Sequence, residues 1–367
     1  MKTTYQIAVL PGDGIGQEVM ASATEVLAAV GERLGVHFAL ERYGAGAQHF
    51  LDHGVALPER TLRACEAADA ILFGAMGLPH VRSKDGTEVA PQLDLRIELD
   101  LYAGVRPVRT FKGLQTPLAH PMAEHIDLVL VRESTEGLFY ARGRGDVRTE
   151  DGVQVAVYDT MKISRAGTSR ICDFAFRLAE RRSSRKGRPG RVTSVDKANV
   201  FTSMALWRRV FEEVASRHPS VVSESAYVDA TALNLVSRPW QFDVLVTENM
   251  FGDILSDLIA ALVGGMGMAP SADIGDHHAL FQPAHGTAPD IAGLGLANPS
   301  AMILSAAMML EWMAEKYDNP KLLAGATEID TALQRVFADD RVRPKEFGGS
   351  SSTAEITRAV IEALRRS

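Results

Sequence analysis

The chain of 367 residues is short of several things, and each shortage excludes a class. It has two cysteines, Cys65 and Cys172, far apart and without metal-type spacing. A disulfide scaffold or a zinc cluster is therefore excluded, and reduced thiols in a cytoplasmic protein are expected. There is no excess of positive charge: the net charge is -7, which argues against nucleic-acid or acidic-membrane partners. No apolar run is long enough to cross a bilayer; "AMILSAAMML" at 301–310 is the longest. The first residues, "MKTTYQIAVLPGDGIG", lack the uninterrupted apolar stretch of a signal peptide. Low-complexity tracts and short-period repeats are absent too. What remains is 46% hydrophobic and 23% charged, a globular composition of enzyme size.

The pattern that is present is β/α alternation. Apolar runs at "YQIAVL", "VHFALERY", "DLVLVRES", "VTSV", "VVSESAYV" and "FDVLVTEN" predict strands. Amphipathic stretches near 165–182, 200–217 and 229–237 predict helices between them. Such alternation implies an α/β protein with mixed, mostly parallel sheets flanked by helices. Three helices are expected to close the chain near 299–316, 319–337 and 353–366, the last capped by "SSSTAE" with Glu355 in its first turn. The methionines near 302–313 read as core. Residues 139–164, glycine-rich and then alternating "VQVAVYD", read as a hairpin that projects as an arm. The basic loop "RRSSRKGRPGR" (181–191) and the adjacent His277 and His278 read as solvated turns.

Chemistry concentrates at a few places. "PGDGIGQE" (11–18) is a glycine-rich turn, yet its G-x-G-x-G spacing does not match the dinucleotide fingerprint, so a tight β/α turn suffices. Arg96, Arg106 and Arg132 suit bidentate capture of carboxylates. Lys197 follows a strand and can accept a proton if desolvated. Asp229, Asp253 and Asp257 offer three carboxylates without nearby histidine or cysteine ligands, and Asp253 and Asp257 share a helix face. That donor set suits Mg²⁺ or Mn²⁺. In "PAHGTAPDIAGLGLANP" (283–299), backbone amides can face phosphates. Asp290 can accept from both hydroxyls of a ribose and repel a 2′-phosphate, which selects NAD over NADP.

Taken together, "LPGDGIGQE", "LDLRIELDLYAGVRPV", "VRESTEG", "SVDKANV", "YVDATALNLV", "TENMFGDILSDL" and "HGTAPDIAGLGLANP" resemble the β-decarboxylating dehydrogenases almost end to end. That family comprises isopropylmalate, isocitrate, homoisocitrate and tartrate/D-malate dehydrogenases. The resemblance implies a two-domain fold that is not a Rossmann fold. Residues 1–106 with 267–367 would bind cofactor, and 107–266 would carry substrate, metal, dimer contacts and arm. It implies a homodimer with shared active sites, where Lys197 and Asp229 serve the other subunit. Arg96, Arg106 and Arg132 would hold the carboxylates of a 2-hydroxy acid. Asp253 and Asp257 with the other subunit's Asp229 would hold the cation. Lys197 would take the hydroxyl proton as hydride passes to NAD⁺, and the C3 carboxylate would leave as CO₂. His285, Gly286, Thr287, Ala288, Asp290 and Asn298 would meet NAD.

One departure stands out. The family has a tyrosine seven residues after Arg132, where this chain has Phe139; Tyr140 is then the candidate acid. Before Arg96, "GTEVAPQLDLR" places Ala90 at the isocitrate-type serine, with apolar Val89 and Leu93 and a polar Gln92. This points to an isopropylmalate type, with D-malate/tartrate as the alternative and isocitrate or homoisocitrate less favoured. Two other classes remain: a metal-dependent hydrolase, which leaves "HGTAPDIAG" and Lys197 without a role, and an impaired ligand-binding homologue, suggested by Phe139.

Overall fold

A computed structural model describes residues 2–339 and 342–366. Among these described residues there are twelve strands: β1 (Thr4–Gly12), β2 (His37–Arg42), β3 (Ala70–Ala75), β4 (Ala103–Arg109), β5 (Asp127–Glu133), β6 (Asp146–Glu150), β7 (Val153–Tyr158), β8 (Arg191–Asp196), β9 (Val222–Tyr227), β10 (Val244–Thr247), β11 (Pro270–Ile274) and β12 (Ala279–Pro283). Eleven α-helices accompany them among the described residues. The first four are α1 (Gly16–Leu34), α2 (Ala47–His53), α3 (Glu59–Ala67) and α4 (Pro91–Glu98). Then come α5 (Arg165–Lys186), α6 (Thr202–Ala215), α7 (Val228–Ser237), α8 (Asn249–Ala261), α9 (Ser300–Lys316), α10 (Pro320–Ala338) and α11 (Thr353–Arg365).

The chain divides into two compact units. Unit 1 is Met1–Leu101, Pro107–His125 and Ala260–Ser367; unit 2 is Tyr102–Arg106 and Ile126–Ile259. The division falls inside β4, and it places 107–125 and 260–266 in unit 1, where the sequence had put them in the second domain.

In unit 1 the strand order is β2-β1-β3-β12-β11, parallel except for the β11–β12 pair. Its helices show why the apolar spacing was legible. In α1 the buried residues Val19, Met20, Ala23, Val26, Leu27 and Val30 recur every three or four positions, and Gly35 ends the helix in the left-handed region. Helix α9 is buried along most of its length, Met302, Met309 and Met313 included, so the methionines are core. Helix α11 opens with a full capping box between Ser352 and Glu355. The Cys65 thiol lies in a cluster with Leu10, Ile71, Phe73 and Leu95, and burial pushes its pKa up to about 12. Both cysteines are free.

In unit 2 the order is β5-β10-β8-β9, all parallel, and β6 pairs with β7 as the expected antiparallel hairpin. The Trp207 ring of α6 is fully buried and its N–H donates to Ser194 Oγ at 3.0 Å. No described helix is long and apolar enough to cross a membrane.

The "GDGIG" turn joins β1 to α1 as a packing device. Gly14 has φ +52°, and a methyl there would lie 2.1 Å from the Thr287 carbonyl oxygen. The Ile15 N–H donates to that same oxygen at 2.8 Å. Asp13, buried, accepts from the N–H groups of Ala47, Gln48 and Gly77, and so starts α2. Gly14→Ala combines backbone strain with a clash, and a loss of about 2 kcal/mol or more is expected. Urea unfolding checks this; an unchanged midpoint would show that the turn yields without cost.

Candidate active site

Unit 2 assembles its charged groups around Arg132. The residue ends β5, and its side chain is buried to 3% exposure. Its Nε donates to Asn249 Oδ1 at 2.8 Å, its Nη1 contacts Asp253 Oδ1, and its guanidinium lies 4.9 Å from the Phe139 ring centre. The space it fills is left by Gly252, whose Cβ would sit 2.7 Å from Arg132 Cγ. Asn249 is fixed in turn by donating to the Glu136 carbonyl at 2.9 Å.

Sequence reasoning missed the group that anchors this end of α8. Glu248 is fully buried and accepts from the N–H groups of Phe251 (2.7 Å) and Met250 (3.1 Å). Burial raises its pKa, and those two N–H groups oppose the rise. Gly137, at φ +72°, makes room: a methyl there would meet Glu248 Oε2 at 2.5 Å. The sequence signal was weak, because glutamate is not among the preferred residues at the position before a helix.

Asp253 and Asp257 share one face of α8, as their spacing implies. The Asp257 carboxyl is raised by burial and by the charge of Asp253, and lowered by Arg132 and Arg106. Arg106 is buried in β4, and its charge is the smallest of these influences on Asp257. Unit 2 therefore brings together Arg106, Arg132, Asp253 and Asp257. Two close carboxylates on a helix face, one of them destabilised by the other, fit a hard divalent cation.

The third carboxylate is elsewhere in the chain. Lys197 follows β8, and its Nζ meets Asp229 Oδ1 at 2.5 Å, a bond that holds the Asp229 carboxyl below its ordinary range. Buried Asp196 fixes this turn by accepting from Arg208 Nε and Nη2 at 2.9 and 2.7 Å and from the Ala198 N–H. Among the described residues no three His, Cys, Asp or Glu groups converge as a metal site. Tyr140 does not stand at Arg132: its ring lies between Arg144 (4.1 Å) and Lys162 (5.0 Å), and Phe139 takes the place beside the guanidinium.

Unit 1 holds Arg96 and the loop 283–299. Arg96 is buried in the last turn of α4 and pairs with Asp273 of β11. Val89 packs into a local core with Ala47, Leu78 and Val81. Leu93 is half-buried, and the Gln92 Oε1 atom is buried without a hydrogen-bond partner. In the loop, Thr287 Oγ1 donates to the Gly77 carbonyl at 2.7 Å. His285 Nε2 is buried without a partner, and burial lowers the ring's pKa, so the imidazole is neutral at pH 7. Gly286, Gly293 and Gly295 have open space where a Cβ would be, Ala288 has φ +35°, and Asp290 is exposed. A backbone this bare, with one unpaired imidazole nitrogen and an accessible carboxylate, fits a nucleotide. Asn298 fits it only through its main chain. Its Oδ1 accepts from the Ser300 N–H, and its Nδ2 donates to Glu346 Oε1 at 2.5 Å.

A family model described as isocitrate/isopropylmalate dehydrogenase matches residues 6–360. The 3-isopropylmalate dehydrogenase of Geobacillus kaustophilus (strain HTA426) is 43% identical over 371 residues, 98% of this chain and 95% of that protein. That of Bacillus subtilis (strain 168) is 42% identical over 369 residues, 97% of each. The crystal structure of isocitrate dehydrogenase from Methylococcus capsulatus superposes with a TM-score of 0.86 at 35% identity, covering 98% of this chain and 99% of the other.

Glu248→Gln sets an amide NH₂ against a helix-start N–H. The substitution should cost about 1–2 kcal/mol, read as a lowered thermal midpoint. An unchanged midpoint would show that the cap contributes nothing.

Proposed function

Because the chain belongs to the isocitrate/isopropylmalate dehydrogenase family, we propose that it oxidatively decarboxylates a 3-substituted malate with NAD⁺ and a divalent cation, and that 3-isopropylmalate is the substrate type. The observation that carries this is the cluster of Arg106, Arg132, Asp253 and Asp257 in unit 2. It pairs two buried cations for substrate carboxylates with two carboxylates for a metal. Relatives of nearly equal length named 3-isopropylmalate dehydrogenase support the substrate.

In this reading Arg106 and Arg132, with Arg96, hold the carboxylates of the hydroxy acid through charge-assisted hydrogen bonds. Lys197 accepts the C2 hydroxyl proton; Asp229, already bound to its Nζ, orients it. Asp253 and Asp257, with Asp229 of a second copy, hold Mg²⁺ or Mn²⁺. When bound, NAD⁺ takes the hydride and the cation offsets the negative charge that grows on the C2 oxygen. The loop residues His285 to Ala288 and the Asn298 main chain carry the nucleotide. Asp290 receives the ribose hydroxyls and excludes a 2′-phosphate. Tyr140, whose ring has Arg144 and Lys162 over it, is assigned the C3 proton.

Gln92 favours a second substrate reading. Its unpartnered Oε1 asks for a hydrogen-bond donor, which a hydroxyl-bearing substituent such as that of tartrate supplies and an isopropyl group does not. NAD⁺ reduction on 3-isopropylmalate, D-malate, tartrate and isocitrate, with and without chelator and with NADP⁺ in parallel, decides. We expect turnover of 3-isopropylmalate that chelation abolishes and NADP⁺ does not support. Preference for tartrate moves the assignment to the second reading. NAD⁺ binding without turnover of any acid would leave an impaired homologue.

We assign the protein to the cytoplasm as a homodimer. Its two thiols are free and buried. Large apolar side chains stand in solvent on α7 (Leu233, Val236), α8 (Ile254) and the arm (Val153, Val155, Val157). If sites are shared, Lys197→Ala and Asp253→Ala are each inactive alone. Mixed and reassembled, they regain about a quarter of wild-type activity, since half the dimers are hybrid and each hybrid has one intact site. No recovery on mixing would place Lys197 and Asp253 of one site on one chain.

A further inference from the structure

Arg96 has a partner that the proposed reaction leaves without a role. Asp273 lies in β11 with no exposed surface, and Arg96 is 5% exposed. One oxygen, Asp273 Oδ2, accepts from Arg96 Nε at 3.1 Å and lies 3.0 Å from Arg96 Nη2. The same oxygen accepts from Gln282 Nε2 at 2.8 Å. Asp273 and Gln282 are diagonal neighbours on one face of the antiparallel β11–β12 pair, whose register sets Ser271 opposite Gln282 and Asp273 opposite Leu280. The end of β11 is also pressed onto the end of α4: a Cβ on Gly275 would come 2.5 Å from the Asp100 carbonyl oxygen. The strand pair and the helix that carries Arg96 are thus fixed to each other.

We infer that Asp273 is a positioning residue that decides which edge of Arg96 meets the substrate. A guanidinium has two forked edges that can grip a carboxylate, Nε with Nη2 and Nη1 with Nη2. Asp273 occupies the first. The second is what remains for a ligand, and Nη1 has no partner among the described residues. A buried ion pair contributes little net charge to its surroundings, so Arg96 recognises a carboxylate by direction rather than by overall attraction. The substrate class is then a hydroxy acid whose carboxylate arrives end-on along the outer edge of Arg96.

The inference rests on the hydroxy-acid reading above. Its test is steady-state kinetics of wild type, Asp273→Ala and Asp273→Asn with 3-isopropylmalate and NAD⁺ varied in turn. Asp273→Ala frees the inner edge, and KM for the acid should rise about tenfold, the weight of one charge-assisted hydrogen bond, while KM for NAD⁺ stays within about twofold. Asp273→Asn keeps an oxygen at that place and should restore the acid KM to within about threefold of wild type. If Asp273→Ala does not fold, Gln282→Leu, which removes only the brace on Oδ2, must raise the acid KM alone. An unchanged acid KM, both KM values rising together, or an Asn variant as impaired as Ala overturns the positioning role. A wild type that oxidises no hydroxy acid on the panel overturns the proposed function and this inference with it; an active wild type confines failure to Asp273.

Discussion

A guanidinium can be kept from water only where other groups take over its hydrogen bonds and balance its charge. Arg132 is such a group, and much of unit 2 is arranged to keep it. Asn249 takes one N–H and Asp253 another, while Phe139 covers a face. Gly252 supplies the volume, and Gly137 lets the following turn close over Glu248. The motifs "VRESTEG" and "TENMFGD" lie more than a hundred residues apart, yet they are two halves of one lock. This explains why each carries glycines and acids that no helix or strand propensity would select. It also ties stability to chemistry: the contacts that fold the end of α8 onto β5 are those that aim Arg132 and Asp253.

The strands legible in the sequence were those with short stretches rich in apolar and β-branched residues, broken or not. β5 carries four consecutive apolar residues and β10 three, as buried parallel strands do, while β8 shows only the short β-branched pattern "VTSV". β11 and β12 were not foreseen. Each is five residues long, punctuated by proline, and "PSADIGDHHALFQP" carries Asp273 and Gln282 inside it. Buried polar residues erase the apolar signal, and only tertiary pairing explains them. α2 was missed for a related reason. Its seven residues are capped by Asp13, more than thirty positions away, so no local capping pattern announces it.

In the candidate site the charged residues could be named from the sequence, and the groups that support them could not. Arg106, Arg132, Asp253 and Asp257 were named from residue type and spacing, and the structure brings those four together. Spacing could not show that Asn298 spends its amide on Glu346 and the start of α9. Nor could it show that Gly14 of "GDGIG" leaves room for the Thr287 carbonyl. A motif states which residues matter; whether a side chain faces a ligand or its own fold depends on packing that the motif does not contain.

Phe139 shows where the two accounts meet. Its ring face toward Arg132 contributes about 0.5–2 kcal/mol and excludes water from one side of the guanidinium. A drier guanidinium binds a carboxylate more strongly, because the competing water is gone and the local dielectric is lower. A phenylalanine, however, has no proton to give. Tyr140, one position on, already has two cations, Arg144 and Lys162, over its ring. In the proposed reaction, capture of the substrate at Arg132 and delivery of the C3 proton therefore fall to different groups. A tyrosine at position 139 would serve both needs from one ring, and this chain favours the first.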